Sequence, residues 1–248
     1  MKRTSSPRST APLPITAAIF CCGLLGACGS TPEQSAVDQG RQLFESKALS
    51  QSRLNDYACI MCHDTQASTP PSKKAGSALA GVTLRSTFWA GQEADLLSSI
   101  NACRDNFMGD NRPLTADDER ARSLYAYLAS LEPGDPNPSP FTIVTNIEPL
   151  PRGDQDNGLW LYEQTCSYCH GALHSGAGRL SERMPILPED TIAEHAEYTP
   201  RVQRLIFTEK VRHGLFLGYG GVMPPFSLEL LSEPEMSDLL EGLGATGE

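Results

Sequence analysis

Two pentapeptides, "CIMCH" at 59–63 and "CSYCH" at 166–170, constrain this chain more than any other feature. With 8 cysteines and 5 histidines in 248 residues, a random sequence would hold about 0.005 copies of C-x-x-C-H. The spacing has a chemical reason. It is the attachment pattern of c-type haem: two thiols add to the two vinyl groups on one porphyrin edge, and the next imidazole reaches the iron. Cys59 and Cys62 therefore read as thioether positions with His63 as proximal ligand. Cys166, Cys169 and His170 repeat the set, giving two covalently attached haems c. A shared four-thiolate zinc site is the structural alternative, but the pairs stand 107 residues apart, and zinc ribbons close over much shorter stretches. A thioredoxin-like pair would need alternating strand and helix patterns around it, and these are missing.

An internal repeat accompanies the pentapeptides. "GRQLF" (40–44) precedes the first and "GLWLY" (158–162) the second, both reading G-x-x-L-aromatic. After each comes a methionine and then an acidic helix start with apolar residues at i, i+3, i+4 and i+7. These are Leu124, Tyr127, Leu128 and Leu131 behind "TADDE", where Thr115 and the acids suit a helix N-terminus, and Met236, Leu239, Leu240 and Leu243 behind "SEPEM", where Ser232 is the expected cap. Between the copies, "EPGDPNPSPFTIVTNIEPLP" (132–151) holds six prolines, which forbid a continuous helix and favour an extended, semi-rigid connection.

Each copy resembles a class I cytochrome c domain, a small all-α fold in which the first and last helices cross beside the haem. The likeness covers about residues 36–132 and 153–246. It implies two tandem domains at 38–132 and 153–246, joined by a Pro-rich linker at 133–152. A unit this small has a modest core of its own, so each should be molten without haem. The first copy has 18 residues from Gly40 to Cys59, as against 7 from Gly158 to Cys166. The extra 11 fall within "ESKALSQSRLNDYA" (45–58), as a longer helix or an added loop.

The distal iron ligands decide what each haem does. In the second copy, "GYGGVMPPF" (218–226) resembles the distal methionine loop of many cytochromes c and makes Met223 the sixth ligand, with His213 as rival. A thioether ligand favours ferrous iron, and a closed six-coordinate site carries electrons without binding substrate. The first copy holds no histidine but His63, so "SSINACRDNFMGD" (98–110) offers Met108 and Cys103. Five residues apart on a helix, the two would point about 140° away from each other. Gly109, Asp110, Asn111 and Pro113 mark a helix end near Phe107, which would leave Cys103 in the helix and Met108 just past it. The run from Ile100 to Leu131 is similar to a stretch of dihaem thiosulfate dehydrogenases and, more loosely, of SoxA-type cytochromes. That resemblance implies Cys103 as ligand of a catalytic haem, with Arg104 and Arg112 available to an anion. Against this, an unpaired cysteine is commonly a small buried side chain, and an arginine near a helix end is commonly a surface cation.

Trp89 is expected against the first haem and Trp160 at the helix interface of the second unit, while His174 and His195 should face solvent. The N-terminus supplies the compartment. Lys2, Arg3 and Arg8 precede an uncharged, mostly apolar run from Ile15 to Ala27, the pattern of a secretory signal and too short to span a bilayer. "LGAC" resembles a bacterial lipobox, implying a signal peptide at 1–27, lipidation of Cys28 and a tether at 28–37. Without the signal, 17 basic side chains face 30 acidic ones, a net −13. That charge argues against nucleic acid and suits a basic redox protein partner. The sequence therefore points to an all-α, lipid-anchored dihaem electron carrier of the cell envelope, facing periplasm or cell surface. An accessory subunit of a terminal oxidase is a variant of that reading. The competing one is a haem enzyme oxidising a small sulfur oxyanion.

Overall fold

In the computed structural model, the described residues are 32–131, 133–215, 222–245 and 247. The expected signal peptide, Cys28, the expected tether up to residue 31 and the glycines at 218, 220 and 221 lie outside them. The expected all-α fold is what the chain adopts. Nine helices are described: α1 (Pro32–Glu45), α2 (Cys59–Cys62), α3 (Leu96–Asn106), α4 (Glu119–Ala129), α5 (Gln155–Thr165), α6 (Ser167–His170), α7 (Glu189–Glu194), α8 (Pro200–His213) and α9 (Glu233–Gly242). No helix among the described residues is long and apolar enough to cross a membrane.

Two helix crossings organise the structure, α1 on α4 and α5 on α9, and the repeated G-x-x-L-aromatic pattern explains both. A Cβ on Gly40 would stand 1.9 Å from the Ser123 carbonyl oxygen, and one on Gly158 would stand 1.9 Å from that of Asp238. Only glycine lets the backbones come this close. Three and four residues on, Phe44 is fully buried beside the half-buried Leu43, while Leu161 and Tyr162 are both buried. The aromatic of each pattern thus fills the face that its glycine opens. Trp160, two residues after Gly158 and about 200° around the helix, is 49% exposed. This corrects the expectation that it packs in the helix interface, and the equivalent Gln42 is exposed too.

The expected stripes are buried at Leu124, Tyr127 and Leu128 on α4 and at Met236, Leu239, Leu240 and Leu243 at α9, while Leu131, just past the end of α4, is half-buried against the same cluster. Each fully buried leucine contributes about 2 kcal/mol. Ser232 caps α9 through a reciprocal box, in which its hydroxyl accepts from Glu235 N and the Glu235 carboxylate accepts from Ser232 N. On α4 the cap is Asp118, one of the acids of that helix start, which accepts from Arg120 N. The Thr115 carbonyl accepts from Asp118 N in the turn before the helix.

The extra residues of the first copy form a loop and not a longer helix. After α1 ends, a 3-10 turn at Lys47–Leu49 leads into a segment held by Asn55, whose side-chain amide donates to the carbonyls of Lys47 and Tyr57. The proline-rich segment has no helix among its described residues and is tied along its length. Arg85 donates to the Asp135 carbonyl, Thr142 bonds Glu229 through N and Oγ1, and His213 Nε2 lies 2.7 Å from the Val144 carbonyl.

Candidate functional site

The first pentapeptide folds as the single turn α2, with His63 N donating to the Cys59 carbonyl. The His63 ring is oriented from behind, because its Nδ1 lies 2.8 Å from the Ser77 carbonyl oxygen. With Nδ1 so engaged, Nε2 is the nitrogen left for a metal. Burial, partly offset by that bond, lowers the pKa of the ring. Gly76 is packed against the imidazole so closely that a Cβ there would stand 2.3 Å from Cε1.

Cys59, Cys62 and His63 open onto a cavity of about 500 Å³ that Cys103, Phe107, Met108 and Trp89 also line, a volume within the range of cofactor sites. Helix α3 does stop at Asn106 with Phe107 as its cap. Both candidate ligands nonetheless reach the cavity, Cys103 from the last turn of the helix and Met108 from the loop. Met108 is 5% exposed. Trp89 lines the same cavity, held by its indole N–H to Ser99 Oγ at 2.8 Å and stacked on Phe107. Trp89 and Ala90 occupy left-handed backbone, with φ of 54° and 56°, a cost of about 1–3 kcal/mol each that aims the indole at the cavity.

Arg104 overturns its expectation most completely. It is 1% exposed and serves neither as a surface cation nor as an anion receptor. Its guanidinium donates to the Asp110 carboxylate (2.8 Å), the carbonyls of Leu49 (3.3 Å) and Arg112 (2.6 Å), and Asn101 Oδ1 (3.2 Å). Arg112 pairs with the other Asp110 oxygen. Burial works to raise the Asp110 pKa, but bonds from Gln51 N and Arg112 and the Arg104 charge hold it far below the carboxylate range. Sequence reasoning missed Asp110. The available signal was an acid just past a helix whose last turn holds an arginine.

The second pentapeptide is built the same way. His170 N donates to the Cys166 carbonyl, and His170 Nδ1 lies 2.9 Å from the Pro185 carbonyl, which again leaves Nε2. Burial lowers the pKa of this ring as well. Tyr162 donates to the Gly171 carbonyl at 2.8 Å. Met223 packs against the buried cluster that contains Cys166, Phe207 and Leu240, and its carbonyl accepts from Leu215 N. The rival His213 is buried and turned to the proline-rich segment. Of the two remaining histidines, His174 is exposed and paired with Glu189, whereas the His195 side chain is only 22% exposed, so only the first faces solvent as expected.

Burial pushes the thiols of Cys59, Cys62 and Cys166 up to about 12 and raises that of Cys103 further. None of the five described cysteines is in a disulfide. Among the described residues, no three His, Cys, Asp or Glu side chains converge to hold a metal ion, as a shared zinc site would require.

Residues 153–241 match the family model "Cytochrome C oxidase, cbb3-type, subunit III". This segment is similar to a cytochrome c-type domain. Such a domain binds haem c covalently and works by haem-based electron transfer, and the donor set Cys166, Cys169 and His170, with its second nitrogen already engaged, fits the group. With such a group bound, the part of this segment would be to seat the imidazole and enclose the site. Comparison with curated proteins finds no match. Among solved structures, the thiosulfate dehydrogenase TsdBA from Marichromatium purpuratum, in its as-isolated form, aligns with a TM-score of 0.41 at 15% identity. The alignment covers 88% of this chain and 47% of that one, so the present chain spans less than half its length.

Proposed function

We propose that the chain is a dihaem electron carrier of the cell envelope, with one haem c at Cys59, Cys62 and His63 and a second at Cys166, Cys169 and His170. The two units are 38–132 and 153–246, with Met223 and Met108 as distal ligands. Cys28 holds the protein to a membrane through lipid, and the acidic surface meets a basic redox protein, for which a terminal oxidase complex is a fitting class.

The observation that carries the choice of carrier over catalyst is the commitment of Arg104. An oxyanion at the first haem would need cations to receive it, and Arg104 is already bound to Asp110, two carbonyls and Asn101. Lys74 and Arg85, which line the cavity, are engaged as well, Lys74 with Asp64 and the Ile60 carbonyl and Arg85 with the carbonyls of Ala78 and Asp135. A closed site with a thioether ligand suits electron passage. The rival reading, oxidation of a small sulfur oxyanion with Cys103 as ligand, is favoured by one observation, that Cys103 lines the same cavity.

Low-temperature EPR of the ferric holoprotein separates the two. Two His/Met low-spin signals, unaltered in Cys103→Ala, are expected. A thiolate-type signal that vanishes in that variant would overturn the carrier reading of the first haem. A pyridine haemochrome assay is expected to give two haems per chain, and metabolic labelling with a fatty acid should depend on Cys28.

A further inference from the structure

The segment that has no counterpart in the second half, residues 46–58, touches two places. At its near end it grips the distal side of the first cavity. The Leu49 carbonyl accepts from Arg104, Ser50 Oγ donates to the Met108 carbonyl at 3.1 Å, and Gln51 N donates to Asp110 at 2.8 Å. At its far end it is held by the other half of the chain. The Arg183 guanidinium donates to the Leu54 carbonyl at 2.6 Å and pairs with the Asp56 carboxylate. The neighbouring Met184 is buried within the first hydrophobic cluster, where its sulfur lies 4.0 Å from the Tyr57 hydroxyl. Asn55 braces the segment internally, bonding Lys47 O and both backbone groups of Tyr57.

We propose that Arg183, although it belongs to the second half, is a positioning residue for the distal ligand of the first haem, acting through segment 47–57. Fixing Leu54 and Asp56 fixes the braced loop, and the loop holds the Met108 carbonyl and the Asp110 carboxylate. Coupling between distant groups is carried by such networks of hydrogen bonds and packed side chains, and its demonstration is a measured coupling between the two ends. This inference rests on the first site holding haem.

The test uses the full-length ferric holoprotein and imidazole as an external ligand that competes for the distal position. The first haem's signal is the one that Met108→Ala alters. Arg183→Gln is expected to raise imidazole affinity at that haem by about tenfold, as for loss of a charge-assisted hydrogen bond. Ser50→Ala, at the other end of the path, should act in the same direction, and the double variant should fall short of the product of the two. Lys210→Gln, which breaks an ion pair of the second half with Glu194, is the control and should leave the affinity unchanged. If Arg183→Gln destabilises the protein, Asp56→Asn breaks the same pair while sparing the bond to Leu54. An affinity within twofold of the parent, or strictly multiplicative effects, would overturn the proposal. A count of one haem per chain would instead refute the reading on which it rests, and the two failures are told apart by the haemochrome assay.

Discussion

Each half of the molecule has a buried arginine at the end of the helix before its candidate distal loop, and the two are satisfied differently. Arg104, on α3, meets a carboxylate in Asp110. Arg212, on α8, donates to the carbonyls of Phe226, Ser227 and Leu231, the segment just after Met223-Pro224-Pro225, and among the described residues one of its terminal nitrogens has no partner. Burial lowers the pKa of both, with Asp110 opposing this for Arg104 and the more distant Glu233 and Glu235 for Arg212. One loop is therefore held by a compensated ion pair and the other by a charge shared among main-chain dipoles. The first arrangement draws on segment 46–58 for one acceptor, the Leu49 carbonyl, and one donor, Gln51 N. The second half has prolines 224 and 225 to stiffen the loop where that segment is missing.

Four experiments sharpen or break this contrast. The largest effect should follow from removing one thiol pair at a time. Cys59→Ser/Cys62→Ser and Cys166→Ser/Cys169→Ser should each halve the haem content, measured as the pyridine haemochrome. Each should also leave the stripped half without near-UV circular dichroism, since a unit of that size depends on the macrocycle for its core. Retention of a cooperative, native-like melt by the stripped half would contradict this.

Asp110→Asn leaves Arg104 buried beside a neutral partner and should cost about 3–5 kcal/mol in chemical denaturation. Arg212→Met removes the charge with its side chain and leaves carbonyls to find water, for about 1–3 kcal/mol. A larger loss in the second variant would show that the carbonyl-bound arginine is the more important of the two.

At the helix crossings the halves should behave alike. Gly40→Ala and Gly158→Ala each drive a methyl group into a facing carbonyl, so each should cost about 1–3 kcal/mol, and unequal values would mean that one crossing can slide apart.

The smallest effect is in acid. Because the native pKa of Asp110 is depressed, its contribution is fully present above the unfolded value of about 3.9 and is lost as pH falls through the native one. Asp110→Asn should therefore flatten the acid limb of the first half's stability profile. Glu229, whose burial is outweighed by bonds from Thr142 so that its pKa falls to about 2, should release the proline-rich segment as pH falls from about 4.3 toward that value. Pepsin cleavage near Thr142 would report the release.

These contrasts also show what could be read from sequence. The stripes at 124, 127, 128 and 131 and at 236, 239, 240 and 243 were legible because helical period is a local property. The glycines of the repeat were legible as a pattern, although their role as the contact points of two crossings appears only when α4 and α9 are brought against them. Trp160 was misread because an aromatic on a helix suggests core, whereas the face used is the one that Gly158 opens. The Arg104–Asp110 pair was invisible as a pair, since its sense depends on Leu49 and Gln51, which reach it from more than fifty residues away. Tyr57 and Met184, 127 residues apart in the chain, carried no mutual signal at all.

The Tyr57–Met184 contact also bears on how the protein could be taken apart. A designer wishing to express the second half as a free-standing electron module would release it with Met184, a side chain that belongs to the other half's core, turned out to water. The first half alone would keep a gap beside Tyr57 where that sulfur had been. The proline-rich segment offers an obvious place to cut, but the working boundary runs through side chains, so excision would call for a polar residue at 184 and a larger one in the first core.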